Sequence, residues 1–125
     1  MTNRTRDKAR EIADAVGSVV KVVPWEVREE ALDGIALLAN ATTLGMAGKP
    51  SLDIALDRLP LRALVGDLIY VPPETPLLAA ARARGNVTVN GLGLLLNQAR
   101  PAFQAWFGVM PEITPALRQA IAATF

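Results

Sequence analysis

Residues 86–98, Asn86-Val87-Thr88-Val89-Asn90-Gly91-Leu92-Gly93-Leu94-Leu95-Leu96-Asn97-Gln98, set the fold class. A short β-branched run is followed by two glycines one residue apart and then by an apolar stretch. Strand, glycine turn and helix in that order are half of a βαβ unit. The same order opens the dinucleotide fingerprint G-x-G-x-x-G, whose third glycine falls here on Leu96. The acidic residue expected about 20 positions further on has only Glu112 nearby, in a Met-Pro-Glu loop. As a phosphate cradle the stretch fails. Asn86-Val87-Thr88 also begins a substrate motif of the form N-V-T-x-P-x-K, but positions 90 and 92 are Asn90 and Leu92. What remains is a tight strand-to-helix turn.

The same alternation extends through the chain. Thr5 is placed to cap a helix with Ala9, Ile12, Ala13 and Val16 on one face and Gly17 at its end. The valine-rich run Val19 to Val23, stopped by Pro24, reads as a buried parallel strand. Residues 26–32 suit one or two helical turns, and Ile35 to Ala39, ending at Asn40, is a second strand. A loop with Gly45, Gly48 and Pro50 follows, and 52–61 is open between coil and a short helix. The third strand runs from Leu64 to Tyr70 into Pro72-Pro73. Thr75-Pro76 starts a helix that Gly85 stops, and Val87 to Val89 is the fourth strand. From Leu92 to about Phe107 the residues Leu92, Leu95, Leu96, Ala99, Phe103 and Trp106 share a helical face, which predicts that Phe103, Trp106 and Phe107 pack. Pro101 predicts a kink or break in that helix, and Thr114-Pro115 opens a last one. Strands alternating with helices and no hairpin turns give an α/β fold with a parallel sheet and C-terminal helices.

The chain has 125 residues, enough for one core, with 51% apolar and 20% charged residues. A net charge of +1 gives no bulk reason to expect nucleic acid or an anionic membrane as partner. The sequence contains neither cysteine nor histidine, which excludes disulfides, thiolate nucleophiles, imidazole bases and the usual zinc sites. No run approaches the roughly 18 to 20 apolar residues of a membrane span, and residues 1–11 lack the apolar core of a signal peptide. The expected setting is cytoplasmic.

Four segments, in order, resemble the C-terminal, NADP-binding half of shikimate dehydrogenase. Asn3-Arg4-Thr5-Arg6-Asp7-Lys8-Ala9 is similar to the family's N-R-T-x-x-(R/K)-A clamp, and Asn40-Ala41-Thr42-Thr43-Leu44-Gly45-Met46 to its N-A-T-x-x-G-M loop. Asp67-Leu68-Ile69-Tyr70, Pro72 and Thr75-Pro76-Leu77-Leu78 match D-x-x-Y-x-P-x-x-T-P-L-L. The opening stretch matches G-L-G-M-L-x-x-Q, followed by F-x-x-W-x-G at Phe103, Trp106 and Gly108.

The resemblance implies a single partial NADP-binding domain over 1–125, in which 91–125 is the C-terminal helical segment. Arg4 and Lys8, four apart across a helix start, present a guanidinium and an ammonium suited to the 2′-phosphate of NADP. NAD-preferring sites usually carry a carboxylate there, which tells against the related NAD-using quinate/shikimate dehydrogenases. With Asn3, Thr5, Asn40, Ala41 and Thr42, these residues are the expected cofactor contacts, and Gly91 and Leu94 are expected at the nicotinamide. Leu94 stands where the family usually has Met. Tyr70 and Gln98 are the expected shikimate contacts.

The implied reaction is hydride transfer between NADPH and the 3-keto group of 3-dehydroshikimate, in aromatic amino-acid (chorismate) biosynthesis. The family's catalytic Lys–Asp pair and its G-x-G-G-x-x-R/A phosphate loop have no counterpart in these residues, so no catalytic residue and no metal ligand is assigned. The chain alone is expected to be inactive. The first two strands of a Rossmann-like sheet are expected to be absent, leaving the Val19–Val23 strand roughly 14 Å from its neighbour at about 4.8 Å per spacing. The sheet is then expected to pair with a missing N-terminal half, to self-associate through its open edges, or to rearrange. The alternative reading is a stand-alone, non-catalytic nucleotide-binding or oligomeric module of the same ancestry.

Overall fold

The structure, a computed structural model, describes residues 1–124. Helix α1 (Arg6–Val16) and a 3-10 segment (Trp25–Leu32) precede strand β1 (Leu37–Asn40). Strand β2 (Leu64–Asp67), helix α2 (Pro76–Ala83) and strand β3 (Val87–Val89) follow, then helices α3 (Leu92–Phe107) and α4 (Pro115–Ala122). The three strands form one parallel sheet in the order β1-β2-β3, with Leu37, Leu64 and Val87 side by side, as are Ala39, Gly66 and Val89. The α/β expectation holds.

Strand side chains alternate between the two faces of a sheet, so its two faces can be read separately. Leu38 and Val65 point to a core made with Leu32, Leu56, Leu59, Leu77, Leu78 and Ala81. Helix α2 packs on β2 and β3 from that side, held at its start by Thr75, whose Oγ1 accepts from Leu78 N at 3.3 Å. Asn86 ties the 60–63 loop to the start of β3, its Nδ2 donating to the carbonyls of Pro60, Leu61 and Ala63 at 2.9–3.1 Å. The opposite face carries Leu37, Ala39, Leu64, Gly66, Val87 and Val89, and it is open. Leu37 is 55% exposed and Val87 67%.

Several expectations are corrected. Val19–Val23 is not a strand of this sheet, and Val19 is largely exposed. A strand exists only with a neighbour, and among the described residues the ladder-like bonds here run only to Met1. The rearrangement in which this run pairs directly with β1 does not occur among the described residues. Residues 52–61 contain no helix, and the third strand ends at Asp67 rather than Tyr70. Helix α3 passes through Pro101 without a break. It runs along the surface there, and Asn97, whose carbonyl would otherwise accept from position 101, is an exposed residue. Phe103 and Phe107 stack only on each other, with centroids 4.5 Å apart, and Trp106 is 77% exposed, so the expected packing of this face is not supplied by the described residues. Thr5 occupies the N-cap of α1 but makes no cap bond with its side chain.

Candidate functional site

The strands run parallel, so their C-terminal ends and the loops leaving them lie on one edge of the sheet, the edge where open α/β sheets hold ligands. Three loops meet there. They are 40–50 after β1, 68–75 after β2 and 90–92 after β3.

A buried polar network joins the first two. Asn40 and Asp67 are the last residues of adjacent strands, in register, and both are almost fully buried. Asn40 Nδ2 donates to Asp67 Oδ1 at 3.1 Å and to Leu44 O at 3.0 Å, while its Oδ1 accepts from Thr42 N and Thr42 Oγ1 at 3.0 and 2.7 Å. Asp67 Oδ1 also accepts from Ile69 N at 3.1 Å, and Oδ2 from Thr75 Oγ1 at 2.7 Å. A carboxylate without a counter-ion is tolerated in such a place because each oxygen is hydrogen-bonded. Thr75 thus caps α2 and anchors Asp67 with one hydroxyl. Gly45, at φ +103, turns the first loop back so that Ala47 N donates to Val71 O at 3.1 Å.

The third loop is held by Gly91. Its N donates to Ile69 O at 2.9 Å, and a Cβ on this residue would lie 1.9 Å from the Leu68 carbonyl oxygen. Only glycine lets the β3 turn come this close to the β2 loop. Asn90 strengthens the junction, donating from Nδ2 to Pro73 O at 3.0 Å and accepting from Leu92 N at 3.3 Å.

The fourth part of the site is the start of α1. Asn3 Oδ1 accepts from Thr5 N at 2.9 Å, an Asx turn that aims the chain into the helix. The Thr5 hydroxyl is left unused as a cap, and Arg4 and Lys8 are exposed and make no ion pair among the described residues. Two unneutralised cations at the positive end of a helix fit a phosphate monoester.

Asn3, Asn40, Ala41 and Thr42 line one cleft of about 470 Å³, which reaches from residues 1–3 to β1. Arg4, Thr5 and Lys8 stand outside its lining, as do Tyr70, Gly91, Leu94 and Gln98. Tyr70 is half-buried in the loop after β2, Gly91 is buried, and Leu94 and Gln98 are exposed on α3. Among the described residues no group of acidic side chains is arranged to hold a metal ion, and no helix is long and apolar enough to cross a membrane. Sequence reasoning gave Asp67, Thr75 and Asn86 no part in building the site. The available signal was an acidic residue inside a strand pattern, eight positions before a Thr-Pro helix start.

The parallel sheet, the loops gathered at its C-terminal edge and the basic start of α1 are arranged as in α/β domains that hold nucleotides. No family model matches the chain. It is 52% identical over 118 residues to the shikimate dehydrogenase (NADP(+)) of Paramagnetospirillum magneticum, a match covering 94% of this chain and 43% of that protein. Among solved structures, quinate dehydrogenase from Corynebacterium glutamicum in complex with NAD superposes with a TM-score of 0.86 at 31% identity, over 98% of this chain and 45% of that one. Shikimate 5-dehydrogenase from Thermus thermophilus, in complex with NADP(H) and shikimate, gives a TM-score of 0.77 at 29% identity, over 98% and 44%. The chain is a homologue of the shikimate dehydrogenases, and it spans less than half the length of these relatives.

Proposed function

We propose that the chain is the C-terminal, NADP-binding part of a shikimate dehydrogenase, which reduces 3-dehydroshikimate to shikimate with NADPH. The observation that carries this reading is the 52% identity, over 94% of the chain, to a relative named for NADP. In the proposal residues 1–125 are one partial domain, with 91–125 as its helical end, working in the cytoplasm and inactive without the rest of the enzyme. NADPH, when bound, supplies the hydride.

The residues of the chain hold and orient. Arg4 and Lys8, with Asn3 and Thr5, bind the 2′-phosphate, and the exposed, unpaired state of both cations supports this role. The loop Asn40-Ala41-Thr42 supports the ribose and phosphates. The Asn40 side chain is spent on Asp67, Leu44 and Thr42, so it acts by shaping the loop. Gly91 and Leu94 lie against the nicotinamide, and the Tyr70 hydroxyl and Gln98 amide meet substrate hydroxyls.

Calorimetric titration with NADP and NAD tests the clamp, on the chain or on its complex with the remaining part of a relative. Wild type is expected to prefer NADP, and Arg4→Ala to lose about tenfold in NADP affinity with NAD unchanged. Equal affinity for both nucleotides, or an unaltered variant, removes the clamp. Turnover of shikimate and NADP by the pure chain overturns the need for the rest. A second reading, NAD use, is favoured by the structural match to the NAD-bound quinate dehydrogenase, and the same titration decides it.

A further inference from the structure

Of the three loops at the C-terminal edge, the middle one, residues 68–75, is joined to both of the others. Toward the first, Val71 O accepts from Ala47 N. Gly45 also packs there, so closely that a Cβ on it would stand 3.5 Å from Ile69 Cδ1 and from Thr75 Cβ. Toward the third, Ile69 O accepts from Gly91 N at 2.9 Å and Pro73 O from Asn90 Nδ2 at 3.0 Å.

Both ends of the middle loop return to one side chain. Asp67 Oδ1 accepts from Ile69 N at 3.1 Å, and Oδ2 accepts from Thr75 Oγ1 at 2.7 Å. The same Oδ1 accepts from Asn40 Nδ2 at 3.1 Å, and Asn40 Oδ1 accepts in turn from Thr42 N and Thr42 Oγ1. A continuous run of hydrogen bonds thus leads from Thr42, through Asn40 and Asp67, to Ile69, the residue before Tyr70. Asn40, Asp67 and Thr75 are 3%, 2% and 1% exposed, so water barely competes for these bonds.

The chemistry of position 67 is specific. Three donors converge on it, and a carboxylate accepts on both oxygens, whereas an amide accepts on one and turns N–H groups on the donors at the other. An ionised acceptor also makes each bond stronger than a neutral one, and more so away from water. Burying that charge opposes folding, and the Thr75 hydroxyl already caps α2 through Leu78 N without it. What the carboxylate adds is a fixed geometry between the two loops.

We propose that Asp67 is a positioning residue for the reaction, setting the distance between the 40–42 loop and Tyr70. The inference rests on the function proposed above, in which the first loop supports the nucleotide and Tyr70 meets the substrate. It adds that the two are coupled through Asp67, and that the Gly45 packing and the Ala47–Val71 bond do not suffice. Hydride transfer depends on such spacing, because a misplacement of about 1 Å between reactants can cost about a hundredfold in rate.

Tyr70 is the only tyrosine in the chain, so its ring gives a single set of magnetic resonance signals. The first measurement needs no ligand. Thr42→Val removes the hydroxyl that donates to Asn40 and is expected to shift the Tyr70 ring signals. In an Asp67→Ala background the same change is expected to shift them at least about fivefold less. If Asp67→Ala fails to fold, Asn40→Ala cuts the run one residue earlier and gives the same comparison. No shift in the wild-type background overturns the proposal. Equal shifts in both backgrounds, with a lower urea midpoint, also overturn it and make Asp67 a residue of the fold alone.

The second measurement titrates 2′-phospho-ADP-ribose, which carries no nicotinamide, into the chain or its complex with the remaining part of a relative. Binding is expected to shift the Lys8 amide and, through Asp67, the Tyr70 ring. The same background variant, at saturation, is expected to keep the first shift and lose most of the second. Binding without a Tyr70 response in wild type retains the function and removes the role of Asp67. A probe that does not bind, with the Thr42→Val comparison as expected, retains the coupling and removes the function.

Discussion

Strand β1 has two unlike sides. Toward β2 its backbone is paired, and its last residue, Asn40, enters a network in which each side-chain polar atom has a partner. Away from β2 its backbone groups face a cleft, and its Leu37 side chain lies on an uncovered face of the sheet. The first side holds itself together with residues of this chain alone. The second is left without a strand partner among the described residues. The contrast separates a self-sufficient half, β1 through β3 with α2, from residues 1–23, whose strand-like pairing is the Met1–Val22 bridge.

Breaking the network should have the largest effect. Asp67→Ala removes the acceptor of Asn40 Nδ2, Ile69 N and Thr75 Oγ1 at once, in a site nearly closed to water. Stranding buried donors of this kind is expected to destabilise the chain by about 3 kcal/mol, read as a lower urea midpoint with unchanged slope. A loss under about 1 kcal/mol would mean that the two loops are held by packing instead. Gly91→Ala comes next. The Cβ overlaps the Leu68 carbonyl, so the β3 turn must move away from the β2 loop, with an expected loss of about 2 kcal/mol in the same measurement. On the open side, Ala39→Pro in the isolated chain is expected to stay within about 0.5 kcal/mol, because that N–H has no partner there to lose.

What the sequence disclosed divides along the same line. The Thr-Pro starts at 75 and 114 are local signals, and both threonines cap as expected, accepting from Leu78 N and Leu117 N. Strands β1, β2 and β3 were legible because their neighbours lie in this chain. The valines at 19–23 carry an equally clear strand pattern and form none, since pairing is a property of two segments and only Met1 is at hand. Asp67 showed in the sequence only as a motif letter. Its work depends on Asn40 lying beside it in register, which no local pattern encodes. Phe103, Trp106 and Phe107 have the spacing of a packed face, yet spacing does not say which molecule supplies the other side.

The two threonines at helix starts give the sharpest test. Thr75 is buried and its hydroxyl both caps α2 and bonds Asp67, so Thr75→Ala is expected to cost about 1–2 kcal/mol. Thr5 holds the same position in α1 with an exposed hydroxyl that caps nothing, the turn being made by Asn3. Thr5→Ala should therefore change stability by less than about 0.5 kcal/mol. If the helix start serves a phosphate, the same variant weakens NADP binding in a calorimetric titration while the urea midpoint stays put. A cap idle in folding and needed in binding marks a site. A Thr5→Ala chain that melts early and binds normally would make Thr5 an ordinary cap and return the clamp to Arg4 and Lys8 alone.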